Sequence, residues 1–422
     1  MAASNAAKFR EETPCGVVEF MWLASNDVAT EARRGAPTHY DGAMNTVSAS
    51  PPAPHPIELE QLDVGACTGW RLRPDGLLTG STAATAIAHG QALSLAGGDI
   101  AFTLVEVLTR TADGPVAAQA PLHRLRWWAE QQGPALRERI EIQLSRLAAK
   151  RQPWAGLSLD RALVMGILNV TPDSLFAGTG TESDQAIARG RALMEAGADI
   201  VDIGAESTRP GADPVTPEEE MRRLEPVIRA LASAGATISV DTRRAVVMKA
   251  ALSWGAHAIN DVAGLEGEAC METVARTGAP VILMHMRGEP GTMQNDPQYD
   301  LPSLDIADYL AHRVALCEEA GIPLHRIVVD PGIGFGKTVA HNLEILARLS
   351  LYQGLGCGVA LGLSRKSTIG RVAGGAPVEE RMPGSIAGAL QGLRQGVQIL
   401  RVHDVAETRQ AVAVWQAIAA GA

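Results

Sequence analysis

Eight short apolar runs recur from residue 163 onward, each followed by a polar loop, an amphipathic segment and, in most cases, a glycine. They are LVMGIL (163–168), IVDIG (200–204), TISVD (237–241), HAIND (257–261), PVILM (280–284), IVVD (327–330), VALGL (359–363) and QILRV (398–402). Continuous apolar runs suit parallel strands buried on both faces, whereas a strand with one wet face would alternate. Parallel order also follows from the helical segments between them. One such segment opens with Thr216-Pro217-Glu218-Glu219, a capping box with proline at N1, and carries Met221, Leu224, Ile228 and Leu231 as one stripe. Gly197, Gly235, Gly255, Gly278, Gly321 and Gly396 each stand a few residues before the next run, where left-handed C-caps belong. Eight βα units in about 260 residues match a (β/α)8 barrel, while a doubly wound sheet has fewer strands and a switch in strand order. The expected fold is therefore α/β, a TIM barrel over residues 156–422.

The chain has 422 residues, so an N-terminal extension remains to be accounted for. Residues 1–60 are rich in Ala, Ser, Pro and Thr, and a run such as SASPPAPHP (48–56) is too poor in large apolar groups to fold, so disorder is expected. A small α+β appendage of unassigned role is expected over 61–155. There AFTLVEVLTR (101–110), TADGP (111–115) and VAAQAPL (116–122) read as a hairpin, and Trp127 to Lys150 as a helix. Trp127 and Trp128 are read as packing rather than as a ligand site. The net charge of −10 argues against nucleic acid or an anionic membrane as partner. No apolar stretch nears the roughly 20 residues that span a bilayer. Five scattered cysteines without a CxxC pair support neither a disulfide framework nor a zinc site, and the N-terminus lacks a secretory apolar core, so a cytoplasmic location is expected.

In a barrel of this kind the strand C-termini and the loops after them build the active site. Functional groups crowd those positions: Asn169, Glu206 to Gly211, Asp241, Asn260-Asp261, His285 to Gly288, Asp330 to Gly332, Ser364-Arg365-Lys366, and Arg401 to Asp404. Arg209, Arg401 and His403 suit phosphate oxygens, while Asp241, Asn260 and Asp330 suit a flat heterocycle rich in N–H donors. Carboxylates sharing one pocket need such donors, or a cation such as Lys366, to stay charged. The stretch GIGFGKT (332–338) imitates a P-loop, but Pro331 stands where that loop needs its first glycine.

Taken together, MGILNVTPDS (165–174), DIGAESTRPG (202–211), SVDT (239–242), IND (259–261), MHMRGEPGTMQ (284–294), DPGIGFGKT (330–338), SRKSTIG (364–370) and RVHDV (401–405) closely resemble dihydropteroate synthase over residues 160–422. That family joins a dihydropterin diphosphate to p-aminobenzoate and releases pyrophosphate. The resemblance implies that Asn169 binds Mg2+, that Arg209, Arg401 and His403 hold the diphosphate with Thr208 beside it, and that Asp241, Asn260, Asp330 and Lys366 bind the pterin ring. Pro210, Phe335 and Ser364 would line the p-aminobenzoate site. It also implies a homodimer and a sulfonamide target.

The first loop departs from the family pattern. Where NVTPDSFSDGG is usual, this chain reads NVTPDSLFAGTG, with Leu175, Phe176 and Ala177 after a retained Asp173. In the family this mobile loop closes over the site, and Ala177 supplies no charge there. Retained activity with altered handling of p-aminobenzoate or sulfonamide is expected. Two alternatives stay open at this stage, a non-catalytic or slow pterin-binding paralogue and a methyltransferase of the same barrel type acting with a corrinoid partner.

Overall fold

The structure is a computed structural model and describes residues 53–63, 68–171, 181–206, 215–289 and 291–421. Its N-terminal part carries strands β1 (His55–Pro56), β2 (Thr68–Leu78), β3 (Leu93–Ser94), β4 (Ala101–Thr111) and β5 (Gly114–Pro121), with helices α1 (Gly80–Ala88), α2 (Leu122–Gln132) and α3 (Pro134–Ala148). The strand order is β1-β5-β4-β2, with β3 also on β4. The expected hairpin is β4–β5, paired antiparallel down to Thr111↔Gly114, so only Ala112 and Asp113 turn the chain. In place of one helix from Trp127 to Lys150 there are two. Gly133, at φ +108°, ends α2, and Pro134 begins α3 at a position where its missing N–H costs nothing. The reading of both tryptophans as packing is corrected for one of them: Trp128 is buried in the core of this unit, but Trp127, about 100° round the helix, is 57% exposed.

The disorder expected for residues 1–60 is corrected at its C-terminal end. Residues 1–52 lie outside the described residues, but His55–Pro56 pairs in parallel with β5, and Leu59, 1% exposed, packs with Leu62 and Trp70. Composition hides this anchor, because a few well-placed apolar side chains suffice for a segment that adds to an existing sheet. Both faces of that sheet are used. Val105 and Val107 of β4 point to α2 and α3, whereas Leu108 and its partner Ala117 join the core of the barrel.

The eight apolar runs form β6 (Leu163–Asn169), β7 (Ile200–Gly204), β8 (Ile238–Asp241), β9 (Ala258–Asp261), β10 (Val281–Met284), β11 (Ile327–Asp330), β12 (Gly358–Leu361) and β13 (Ile399–Val402). They close into a barrel in sequence order, β13 returning to β6, with parallel pairing throughout. The surrounding helices are α4 (Glu182–Glu195), α5 (Pro217–Ser233), α6 (Ala245–Ser253), α7 (Cys270–Thr277), α8 (Pro302–Glu319), α9 (Val339–Ala347), α10 (Ser367–Val372), α11 (Met382–Arg394) and α12 (Val405–Gly421). All six expected C-cap glycines have positive φ, from +70° at Gly278 to +111° at Gly255. At α5 the Thr216 hydroxyl accepts from the Glu219 N–H as expected, but the Glu219 carboxylate turns to Arg222 and Arg223.

Strand alternation divides the barrel into two environments. One set of residues, including Val164, Val201, Ile203, Val240, Ile259, Leu283, Val329, Val359 and Leu400, packs outward against the helices. The other set points inward. Its lower layer, Leu163, Met165, Ile200, Ala258, Ile282, Val328, Ala360 and Ile399, forms a floor that is apolar apart from Ser239 of β8 and is sealed by Trp154 and Leu159. Two residues further along each strand, the inward positions are those at the C-terminal end of the barrel.

Leu59 tests the corrected boundary. Leu59→Ala is expected to lower unfolding free energy by about 2–5 kcal/mol, as for other buried leucines. A urea midpoint within error of the parent's would show that this segment does not belong to the core.

Candidate active site

Counting two residues up from the apolar floor gives Asp202 above Ile200, Asn260 above Ala258, Asp330 above Val328, Gly362 above Ala360 and Arg401 above Ile399. Asp241 stands two residues above Ser239 on β8. Strand register sets Asn169 beside Gly204, Gly204 beside Asp241, and Asp241 beside Asn260. A polar layer therefore lies over an apolar one, within the same closed wall.

Arg401 organises this layer. Its Nε donates to Asp202 Oδ2 at 2.6 Å and its Nη2 to Asp241 Oδ2 at 2.8 Å, while Asn260 Nδ2 donates to Asp202 Oδ2 at 3.1 Å. Burial opposes the charge of Arg401, but Asp202 and Asp241 more than offset it, so the guanidinium is held above its ordinary range. Burial, reinforced by Asp202, Asp261 and Glu220 and opposed by Arg401, pushes Asp241 up to about 7. Asp330 is also raised by burial, although Lys366 opposes the shift, and its Oδ1 accepts from the Gly332 N–H at 2.7 Å. Asp330 Oδ2, Lys366 Nζ and Arg401 Cδ all come within 4 Å of the point where a Cβ on Gly362 would stand. Glycine keeps that centre open.

Lys366 lies over the Phe335 ring, with Nζ 4.6 Å from its centroid, and donates to the Ile333 carbonyl. Burial lowers it to about 8, with Asp330 acting the other way. The lysine of the P-loop look-alike does something else. Lys337 is buried, and its Nζ donates to the carbonyls of Gly332 (2.8 Å), Phe335 (2.9 Å) and His285 (3.3 Å) and lies 2.9 Å from His285 Nδ1. Burial, with Lys337 adding to it, depresses His285 to about 2, so the imidazole is neutral. Lys337 thus ties the loop after β10 to the loop after β11, which carries Phe335.

Ser364 and His403 adjoin one another: Ser364 Oγ accepts from the His403 N–H at 3.1 Å and lies 3.0 Å from His403 Nδ1. Arg365 pairs with Asp404 across the same two loops. Thr208, Arg209 and Pro210 lie outside the described residues, as do Asp173, Leu175, Phe176 and Ala177. The described residues flanking 207–214 are clamped: Arg244 donates to Glu206 at 2.9 Å and to the Val215 carbonyl at 2.7 Å.

Strand parity separates residues that lay together in the sequence. Asn260 points inward, but Asp261 points outward and accepts from the N–H groups of Ala263 and Leu265, with burial raising it to about 6. Asp202, not singled out as a site residue from the sequence, is fully buried and joins Arg401 to Asn260. Its signal was present, since an acidic residue two positions after an inward Ile in a short buried strand must also point inward.

The family model described as "Pterin binding enzyme" matches residues 165–403. The dihydropteroate synthase of Neisseria meningitidis serogroup B is 47% identical over 270 residues, covering 62% of this chain and 94% of that protein. The Escherichia coli K12 dihydropteroate synthase is 44% identical over 264 residues, with 62% and 93% covered. Among solved structures, Xanthomonas albilineans dihydropteroate synthase with 4-aminobenzoic acid is 46% identical with a TM-score of 0.60, covering 63% of this chain and 96% of that one. The same organism's enzyme in complex with 7,8-dihydropteroate is 44% identical, with a TM-score of 0.57 and 62% and 95% covered.

The role of Asp202 can be measured without any ligand. Asp202→Asn removes one partner of a buried ion pair and should cost about 3 kcal/mol of stability, the low end for such breaks because Asp241 remains on Arg401. If urea denaturation shows a loss below about 1 kcal/mol, Asp202 does not hold the layer together.

Proposed function

The chain belongs to the dihydropteroate synthase family of pterin-binding enzymes, and we propose on that footing that it condenses (7,8-dihydropterin-6-yl)methyl diphosphate with p-aminobenzoate, giving 7,8-dihydropteroate and pyrophosphate. The polar layer carries this reading. Among the described residues three carboxylates, Asp202 and Asp330 buried and Asp241 largely so, and the Asn260 amide share two cations there, Arg401 and Lys366, an arrangement suited to a ring with several N–H donors. The synthases among its relatives, at 44–47% identity over the barrel, support this reading over a non-catalytic paralogue.

Asp241, Asn260 and Asp330 accept from and orient the pterin, and Lys366 donates to it. Asp202 and Asp241 hold Arg401 before any ligand arrives, so little ordering is needed on binding. Arg401, His403, Thr208 and Arg209 take the diphosphate. Phe335, Pro210 and Ser364 line the arylamine site, where Phe335 is backed by the loop that Lys337 ties down. The C–O bond at the pterin methylene breaks with its electron pair leaving on pyrophosphate. The arylamine nitrogen forms the new C–N bond and then loses a proton. Positively charged groups around the leaving diphosphate lower that barrier, and no strong base is required.

Asn169 fits a hard cation. Its side-chain carbonyl ends β6 at the rim, and among the described residues no group of three His, Cys, Asp or Glu could cage a metal. Such a site suits Mg2+ held by the diphosphate, water and one protein oxygen, neutralising charge on the leaving group. We also propose a homodimer. Among the described residues no helix is long and apolar enough to cross a membrane, and the scattered free cysteines support a cytoplasmic location.

The direct test is incubation of the protein with pterin diphosphate, labelled p-aminobenzoate and Mg2+, followed by chromatography. Dihydropteroate is expected, and its absence overturns the reading. Asp241→Asn and Lys366→Ala should each lower kcat/KM by about two orders of magnitude or more with the fold retained, since these groups act on ligand. Affinity for the pterin should also be bell-shaped in pH. Below about 7 Asp241 takes up a proton and stops accepting, and above about 8 Lys366 loses its charge. The acid limb should approach a tenfold loss per pH unit and flatten in Asp241→Asn. Calorimetric titration giving a level profile from pH 6 to 9 would contradict these roles.

A further inference from the structure

The N-terminal unit meets the barrel through one face of its sheet, and strand alternation decides which residues are on it. On β4, Glu106, Leu108 and Arg110 share that face, and their register partners on β2 and β5 include Arg73, Arg71 and Ala117. Leu108 and Ala117 bury apolar surface against the barrel. The charged residues on either side of Leu108 make directed contacts. Arg110 donates from Nη2 to Asp305 Oδ1 at 2.5 Å and from Nη1 to Asp308 Oδ2 at 2.6 Å, and Arg71 Nε adds a bond to Asp308 Oδ1 at 2.7 Å. Asp305 and Asp308 are one turn apart near the start of α8, so a cation between them also removes their mutual repulsion. A second route starts at Glu106, 3.6 Å from Arg348 Nε. Arg348 reaches Glu344 at 2.9 Å, and Glu344 accepts from the Ser303 N–H (2.8 Å) and hydroxyl (2.7 Å) in the first turn of α8.

Both routes end where the loop after β10 enters α8, and from there contacts lead to the active site. Asp305 Oδ2, the oxygen not used by Arg110, accepts from the Asp300 N–H at 2.9 Å. The neighbouring Tyr299 donates its hydroxyl to the Gly336 carbonyl at 2.9 Å and carries Arg287 over its ring at 5.0 Å, and Gln294 donates to the Gly334 carbonyl at 2.6 Å. Gly334 and Gly336 flank Phe335. We propose that the N-terminal unit is a brace: through Arg110 and Glu106 it fixes the start of α8 and the loop before it, and thereby the position of Phe335 at the arylamine site. Arg110 is a positioning residue in this scheme and touches no substrate. The inference rests on the assignment of Phe335 to that site, but its structural half is independent of activity.

Two measurements on the full chain test it, with Leu95→Ala as control. Leu95 packs in the core of the same unit, close to Gly396, and takes no part in the Arg110 contacts, so its truncation loosens the unit and leaves those contacts in place. In Arg110→Ala, backbone amides of residues 291–301 should exchange with deuterium about tenfold faster, as expected when charge-assisted bonds that order a loop are lost. The KM for p-aminobenzoate should rise by a similar factor with pterin diphosphate affinity within about twofold of the parent, and Arg110→Lys should restore part of both. In Leu95→Ala, neither quantity should move. Unchanged exchange at 291–301 in Arg110→Ala overturns the brace whatever the activity, and so does equal acceleration in Arg110→Ala and Leu95→Ala, which would mean the unit only adds overall stability. Faster exchange with an unchanged KM would overturn the link to Phe335. A parent protein that makes no dihydropteroate would instead remove the functional reading and leave the exchange result to decide the structural half. If Arg110→Ala does not fold, the exchange and KM of Arg110→Lys decide, an intermediate shift supporting the brace and no shift overturning it.

Discussion

Two carboxylates, the fully buried Asp202 and the largely buried Asp241, are tolerable inside the barrel because Arg401 stands between them. A charge taken out of water needs a partner and further hydrogen bonds, and a narrow closed barrel offers few positions for either. Asn260 is held by the same arrangement through Asp202, and Asp241 is set beside it by register. Removing the guanidinium would leave negative charge with Lys366 as the remaining cation of the layer among the described residues. The layer is a preorganised array with a surplus of acceptors, which is poor for stability and good for capturing a ligand that brings donors.

That array stands on a layer that is apolar apart from Ser239. Ile200, Ala258, Ile282, Val328 and Ile399 fill the lower barrel and Trp154 seals it, its Nε1 satisfied by the Arg326 carbonyl at 3.0 Å. Polar groups in the upper layer therefore face one way, towards the loops. Low polarity below and limited water above explain why Asp241 and Lys366 both move towards neutrality, to about 7 and about 8.

The loops add a third tier. Lys337, buried among carbonyls and a neutral His285, binds two loops together, and burial drives it well below its ordinary range. Arg365–Asp404 and Arg244–Glu206 do similar work elsewhere on the rim. Next to them the N-terminal sheet uses both faces, one for its own helices and one for the barrel, so it has no wet face at β4 and β5 where Leu108 and Ala117 pack.

Fold class, strand count and strand limits were legible in the sequence because they follow from local rules: continuous apolar runs, amphipathic spacing and glycines that tolerate positive φ. The strands lie within two residues of the runs at either end, and the six C-cap glycines behave as read. That polar groups gather at the C-terminal end of the barrel was legible too, and among the described residues Asp241, Asn260, Asp330, Lys366 and Arg401 converge there. What the sequence did not reveal is pairing. That Arg401 serves Asp202 as well as Asp241, that Asp261 turns away from Asn260, and that Lys337 meets His285 depend on inward or outward parity and on strands that close only in three dimensions. The segment from His55 to Glu60 was misread for the same reason, and the face of β4 that carries Glu106, Leu108 and Arg110 was not assigned a partner. An exposed-looking segment or sheet face becomes buried only when a distant part of the chain arrives to cover it, and the contacts that bring it there span some 200 residues of sequence, from Arg110 to Asp305 and Asp308.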